Sequence, residues 1–406
     1  TIDRVDALKA AKQYTKEAAQ GKIRGPLHGI PVGIKDIFFT KGYTTAAGSA
    51  ILAKFIPEYD ATTVAALKQR GAIILGKTET TEFAYRDPPP TRNPWNPEHT
   101  PGGSSSGSAA AVASNMCPAA LGSQTGGSTI RPAAYCGIVG LKPTYGRISR
   151  YGVYPLSWTL DHVGIFTRTV NDAAIILEAL AGYDSKDPTS STLPVPSYET
   201  ALNAANPPRL GLLKEFFYEE AHAEVRQNLI DTVGRLQNAG AEIVETPLPR
   251  SFSAVHAAHS VIMTTEAAAI HQETFQRRRH EYRVGMRSMI TSGLVIPANI
   301  YLKAQRIRST FIRAMLKTFK HIDCLITPAA TMPAPKSLES TGDPAFNAPW
   351  SFCGFPSITI PSGLAKGRLP MGIQLVGRSF EEQNLLNIAG WSENVIGFKH
   401  TPQLAH

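Results

Sequence analysis

The chain has 406 residues, of which 43% are hydrophobic, 18% charged and 8% aromatic, the balance of a globular protein with a sizeable core rather than a disordered or low-complexity chain. No apolar run approaches the ~18 residues that a membrane-crossing helix needs, and the charged start Thr1-Ile2-Asp3-Arg4 is unlike a secretory leader; lacking Met, it points to a trimmed or incomplete beginning. Lys and Arg outnumber Asp and Glu by 41 to 32, but no zinc-finger, RNA-recognition or aromatic-interleaved basic motif accompanies the excess. The Arg277-Arg278-Arg279-His280 cluster therefore reads as a solvated helix face, and neither a nucleic-acid nor a membrane partner is expected.

In chain order, Ile2, Val5, Leu8 and Ala11 recur at helical spacing and predict a helix over the first 20 residues. Gly29 to Ile34 is a short apolar run that predicts a buried strand ending at Lys35-Asp36. Ala61 to Arg70 reads as a helix and Ala72 to Gly76 as a second buried strand. The six prolines between residues 87 and 103 predict an extended loop, and Ser106 to Asn115 a helix of small residues suited to close packing. Val170 to Ala181 is another helix. Leu210 to Leu213, 221–239 and Ala241 to Val244 alternate as strand, helix and strand, which implies a parallel pair. Long helices follow at 253–275 and 298–320, with late strands at 322–326, 357–360 and 372–376. Elements alternate from end to end with no linker and no internal repeat, so 1–406 is expected to form one α/β domain, a mixed, mostly parallel sheet between helices. Cys117, Cys136, Cys324 and Cys353 show no CxxC spacing and read as buried free thiols in a reducing cytoplasm.

Three segments carry candidate chemistry. Gly33-Ile34-Lys35-Asp36 ends an apolar strand with a lysine, which is either a snorkelling strand end or a base kept neutral by desolvation. Thr100-Pro101-Gly102-Gly103-Ser104-Ser105-Ser106-Gly107-Ser108 runs straight into a helix, unlike a linker; it lacks the Gly-Lys-Ser/Thr ending of a phosphate loop. Gly103 to Gly107 fits G-x-S-x-G, but Pro97 and Pro101 precede it where a nucleophile elbow needs a strand. Gly122-Ser123-Gln124-Thr125-Gly126-Gly127-Ser128 can curve so that consecutive N–H groups converge on one point, a setting for a serine that attacks a carbonyl; an ordinary Gly-rich turn would read the same.

Together these segments, with Cys136 to Thr144, Leu160 to Gly164, Arg168-Thr169-Val170 and Pro370 to Gly377, closely resemble the amidase signature family over residues 25–390. The resemblance implies a Ser-cisSer-Lys triad: Ser128 as nucleophile, Ser104 as the bridging serine behind a cis peptide bond, and Lys35 as base. It also implies backbone oxyanion donors at Thr125, Gly126, Gly127 and Ser128, and no metal or cofactor. His162 beside Asp161 is expected to be structural, Ser105 and Ser108 to hydrogen-bond within their loop, and Arg131 to pair with a carboxylate. The chain departs from the family pattern at Gln124, where Asp is usual, and at Thr129, which is inserted before Ile130-Arg131. The family includes the glutamine-using A subunit of the tRNA-dependent amidotransferase. That subunit's paired tyrosines are replaced here by Ile300-Tyr301, and the aromatic stretch Phe346 to Pro356 suggests a pocket built on Trp350, Phe352 and Phe355. The expected activity is therefore hydrolysis of C–N bonds in linear amides by a stand-alone enzyme, with aryl esters and carbamates (urethanes included) as further substrates. The alternative is that amidotransferase subunit. The resemblance implies a cytoplasmic homodimer.

Overall fold

The apolar runs around Val32, Ile74, Leu325 and Ile373 all become strands of one sheet. The structure, a computed structural model, describes residues 2–198 and 207–403. Its ten strands are β1 (Pro31–Lys35), β2 (Ile73–Thr78), β3 (Ala119–Gln124), β4 (Val139–Lys142), β5 (His162–Thr167), β6 (Arg209–Leu212), β7 (Glu242–Glu245), β8 (Cys324–Pro328), β9 (Ser357–Leu364) and β10 (Pro370–Val376). They lie in the order β2-β1-β3-β5-β4-β9-β10-β8-β6-β7. The sheet is mixed. Its parallel pairings lie at the two flanks, β2-β1-β3 and β8-β6-β7, and the strands between them pair antiparallel.

Helices α1 (Arg4–Ala19), α2 (Thr62–Gln69), α3 (Ser106–Ala113), α5 (Val170–Leu180), α6 (Ala223–Asn238), α7 (Val255–Arg278) and α9 (Ala298–Thr318) stand where periodicity placed them. Helices α4 (Ile130–Cys136), α8 (Val284–Gly293), α10 (Ala348–Cys353) and α11 (Glu382–Ile396) had no predicted counterpart. Residues alternate in facing along β5. Gly164 and Phe166 meet Thr129 and the α3 cluster, whereas Val163 and Ile165 join the larger cluster that contains α5 and α11 residues. Helices thus cover both faces of the sheet.

The first helix differs from expectation in its facing. Ile2, Val5 and Leu8 are exposed, and Tyr14 is its one buried residue, placed beside the His28 ring with the Arg24 guanidinium over it. All four cysteines are buried and free. The arginine cluster ends α7 in solvent, where Arg278 pairs with Glu281 and the cations suit the carbonyl end of the helix. No described helix is long and apolar enough to cross a membrane.

Candidate active site

β1 ends by delivering Lys35 into the protein interior, where its relative exposure is 0%. Three hydroxyls surround the amine: Ser104 Oγ at 2.7 Å, Ser123 Oγ at 2.8 Å and Ser105 Oγ at 3.1 Å. Burial drives the Lys35 pKa well below that of a free lysine, against a weaker opposing pull from the Asp161 carboxylate. A neutral amine has two hydrogens and one lone pair. Ser105 spends its own hydrogen on the Ser123 carbonyl at 3.2 Å, so it accepts from Lys35. One hydrogen and the lone pair then remain for Ser123 and Ser104, and with Ser123 taking the hydrogen the lone pair can receive one from Ser104.

Ser104 sits just before α3, and the Gly103–Ser104 peptide bond is cis. The Gly103 carbonyl accepts from Arg131 Nη2 at 2.7 Å, and the same nitrogen donates to Thr341 Oγ1 at 3.2 Å. Arg131 thus ties the Ser104 loop to α4, three residues beyond Ser128. In place of the expected carboxylate partner, Arg131 Nη2 meets these two neutral acceptors. Ser128 is 8% exposed.

The segment between β3 and α4 is held from all sides. Gln124 Oε1 accepts from the N–H groups of Thr129 and Ile130 at 2.9 and 3.0 Å, capping α4, while its Nε2 donates to Ser351 Oγ at 3.0 Å. Both departures from the family pattern find their places here: a carboxamide both caps and donates, and Thr129 fills the space above Gly164. Gln124→Leu is expected to lower unfolding stability by about 2–3 kcal/mol in urea titration, through two stranded N–H donors. Gln124→Glu keeps the cap and should lose less; equal losses would remove capping as the explanation.

Thr125 Oγ1 donates to Asp161 Oδ1 at 2.6 Å, and Asp161 Oδ2 accepts from the N–H groups of Leu156 and Ser157 at 2.8 and 2.9 Å. Asp161 therefore braces the loop rather than serving a His162 triad. His162 is neutral, its pKa driven well down by burial and then by Lys142, and its Nδ1 donates to the Leu160 carbonyl at 2.7 Å.

A cavity of about 360 Å³ opens beside Ser123 and Thr125, walled by Tyr151, Tyr154 and Trp158 among others. These wall residues precede Leu160-Asp161 in an aromatic, proline-containing stretch, the one sequence signal that could have marked them. Trp350, Phe352 and Phe355, expected to line the pocket, are instead buried core: Trp350 stacks on Phe217 and Phe355 packs edge-on against Phe319. Trp350 and Phe352 lie on α10 and Phe355 just beyond it, all turned inward, whereas Phe346 and Ala345 before the helix line a cavity.

This arrangement, a buried lysine among serines beside a Gly-Gly-Ser loop on a mixed sheet, sits within a recognisable class. The family model for amidases matches residues 1–386, and the chain belongs to the amidase family, the family its motifs resemble. It is 42% identical to the A subunit of glutamyl-tRNA(Gln) amidotransferase from Geotalea daltonii, over 96% of this chain and 88% of that protein. Among solved structures, the native peptide amidase of Stenotrophomonas maltophilia matches with a TM-score of 0.87 and 31% identity, over 100% of this chain and 90% of that one. The A subunit of glutamyl-tRNA(Gln) amidotransferase from Thermotoga maritima matches with a TM-score of 0.85 and 32% identity, over 94% and 88%.

Proposed function

We propose that the chain hydrolyses a carboxamide C–N bond through an acyl-Ser128 intermediate and does so as the glutamine-hydrolysing A subunit of an amidotransferase. The observation that carries the chemistry is the desolvated Lys35 amine 2.7 Å from Ser104 Oγ. In this reading Ser104 passes its hydrogen to Lys35 as it takes one from Ser128. The Ser128 Oγ–carbon bond forms, and the carbonyl oxygen becomes an oxyanion facing the 125–128 loop. As the C–N bond breaks, Ser104 gives a hydrogen to the departing nitrogen and regains one from Lys35. Water, activated by the same relay, then releases the acid and restores Ser128.

The subunit reading draws its support from relatedness, since amidotransferase A subunits are 36–42% identical over nearly the whole chain. The stand-alone reading lost one of its two arguments when Trp350, Phe352 and Phe355 proved to be core. Its other argument, Ile300-Tyr301 in place of that subunit's paired tyrosines, stands, and the likeness to peptide amidase and the aromatic wall of Tyr151, Tyr154 and Trp158 add to it.

A fluorophosphonate probe should leave its adduct on the Ser128 peptide in mass spectrometry, and none in Ser128→Ala. Turnover would then be compared by ammonia release for glutamine and a primary aliphatic amide, and by release of the aromatic amine or phenol for an anilide and a phenyl carbamate. Glutamine turnover, alone or only with partner subunits added, supports the subunit reading. Anilide or carbamate turnover without glutamine turnover returns the stand-alone enzyme to first place. An adduct on another residue would end the Ser128 assignment.

A further inference from the structure

Among the described residues, the Thr125–Ser128 loop is hydrogen-bonded to α7 through one side chain, that of His259. It is 5% exposed, and its Nε2 lies 2.9 Å from the Thr125 carbonyl oxygen. A carbonyl has no hydrogen to give, so Nε2 carries the hydrogen and donates. Burial lowers the His259 pKa to about 4, which keeps the ring neutral and in that one tautomer near neutral pH. The next two carbonyls are pinned as well. Gly126 O accepts from Ser351 Oγ at 2.9 Å, and Gly127 O accepts from the Arg131 N–H at 3.0 Å.

Peptide planarity turns these contacts into a statement about the opposite side. In a trans peptide, the C=O of one residue and the N–H of the next point in opposite directions. Holding the carbonyls of Thr125, Gly126 and Gly127 therefore aims the N–H groups of Gly126, Gly127 and Ser128 away from His259, Ser351 and α4. Those three N–H groups form no hydrogen bond among the described residues. Of the three peptides, Thr125–Gly126 is the one whose carbonyl depends on a side chain distant in sequence with no other tie to the loop, and glycine at 126 lets that peptide turn over easily.

We propose that His259 is a positioning residue for amide hydrolysis: by holding the Thr125 carbonyl it keeps the Gly126 N–H facing the oxygen that becomes the oxyanion. The proposal rests on Ser128 being the nucleophile. Neither the histidine nor its contact belongs to the sequence motifs, since residue 259 lies 131 positions beyond Ser128 on a helix that carries no part of the proposed triad.

The test compares His259→Phe, which fills the space without a donor, with His259→Gln, which keeps an N–H donor on a shorter arm. His259→Leu replaces the phenylalanine variant should that one not fold. For each, kcat and KM are measured on the best amide of the panel, together with inhibition by a boronic acid matching the acyl group, which forms a tetrahedral adduct, and by the carboxylate product. The apolar variants are expected to lose about 10- to 100-fold in kcat with KM within about twofold. Boronate affinity should fall by the same factor as kcat, product affinity should hold, and glutamine at 259 should restore most of the loss. Wild-type kcat in the apolar variants, or equal losses in all variants with boronate affinity unchanged, would overturn it. If Ser128→Ala still turns over substrate, the nucleophile reading falls first and this proposal with it. If Ser128→Ala is inactive and the histidine results are negative, the positioning role falls by itself.

Discussion

Lys35→Ala is expected to lower kcat on the best amide by about 10³- to 10⁴-fold, the contribution typical of a positioned general base at its upper end, with KM little changed. The lysine is wholly buried, and its amine is spanned by three serine hydroxyls, none of them basic enough to take its place. The pH dependence carries a sign. With Lys35 as the proposed base the neutral amine is the active form, so kcat/KM is expected to fall as pH falls through the Lys35 pKa and to level off above it. Burial sets that pKa well below the 10.5 of a free lysine, so the limb lies well to the acid side of 10.5. Asp161 opposes the shift; Asp161→Asn removes the opposing charge and is expected to move the limb further toward acid. A pH–rate profile of wild type, Asp161→Asn and Lys35→Met checks all three points. An unchanged acid limb in Lys35→Met would give the base role to another group.

The segments of the proposed triad are legible in sequence because each requirement leaves a local mark: a lysine closing an apolar strand, serines in Gly-rich runs. The outer strands and long helices are legible too, since β-branched runs and 3.6-residue spacing survive in β1, β2, α7 and α9. The neighbouring strands β3, β5 and β4 are not. β3 reads Ala-Ala-Leu-Gly-Ser-Gln, small residues with no β-branched member, and it is a strand only because its neighbours bury it on both sides. Its composition follows from the site. Gly122 leaves space for the Ser105 side chain, and Gly164, paired with it in register on β5, leaves space for Thr129. Residues that hold the site from far along the chain, His259, Ser351 and Thr341, carry no motif, because one hydrogen bond to a carbonyl imposes no pattern on the sequence around it. The aromatic stretch misled for a related reason: Trp350 and Phe352 have the composition of a pocket wall and the facing of a core helix.

Gly164→Ala is expected to be among the most disruptive one-carbon changes in the protein. A Cβ built there would lie 2.0 Å from Thr129 Oγ1, 2.9 Å from its Cγ2 and 3.0 Å from its Cβ. Gly164 lies mid-strand, paired with Gly122 on β3, so the strand cannot retreat without breaking that ladder. Thr129 cannot retreat freely either, because its N–H is held by Gln124 and it follows Ser128 directly. The expected loss is about 3 kcal/mol, the upper part of the overpacking range, read as a lowered urea midpoint at unchanged slope. The fraction that remains folded should also turn over substrate more slowly, since the clash pushes on the residue next to Ser128, the proposed nucleophile. Thr129→Gly removes all of those threonine atoms from the path of the new methyl group and should recover most of the Gly164→Ala loss in the double variant. That makes the coupling between the two sites favourable by about 2–3 kcal/mol in a double-mutant cycle. Additive losses would mean that the strand, and not the threonine inserted after Ser128, sets the need for glycine at 164.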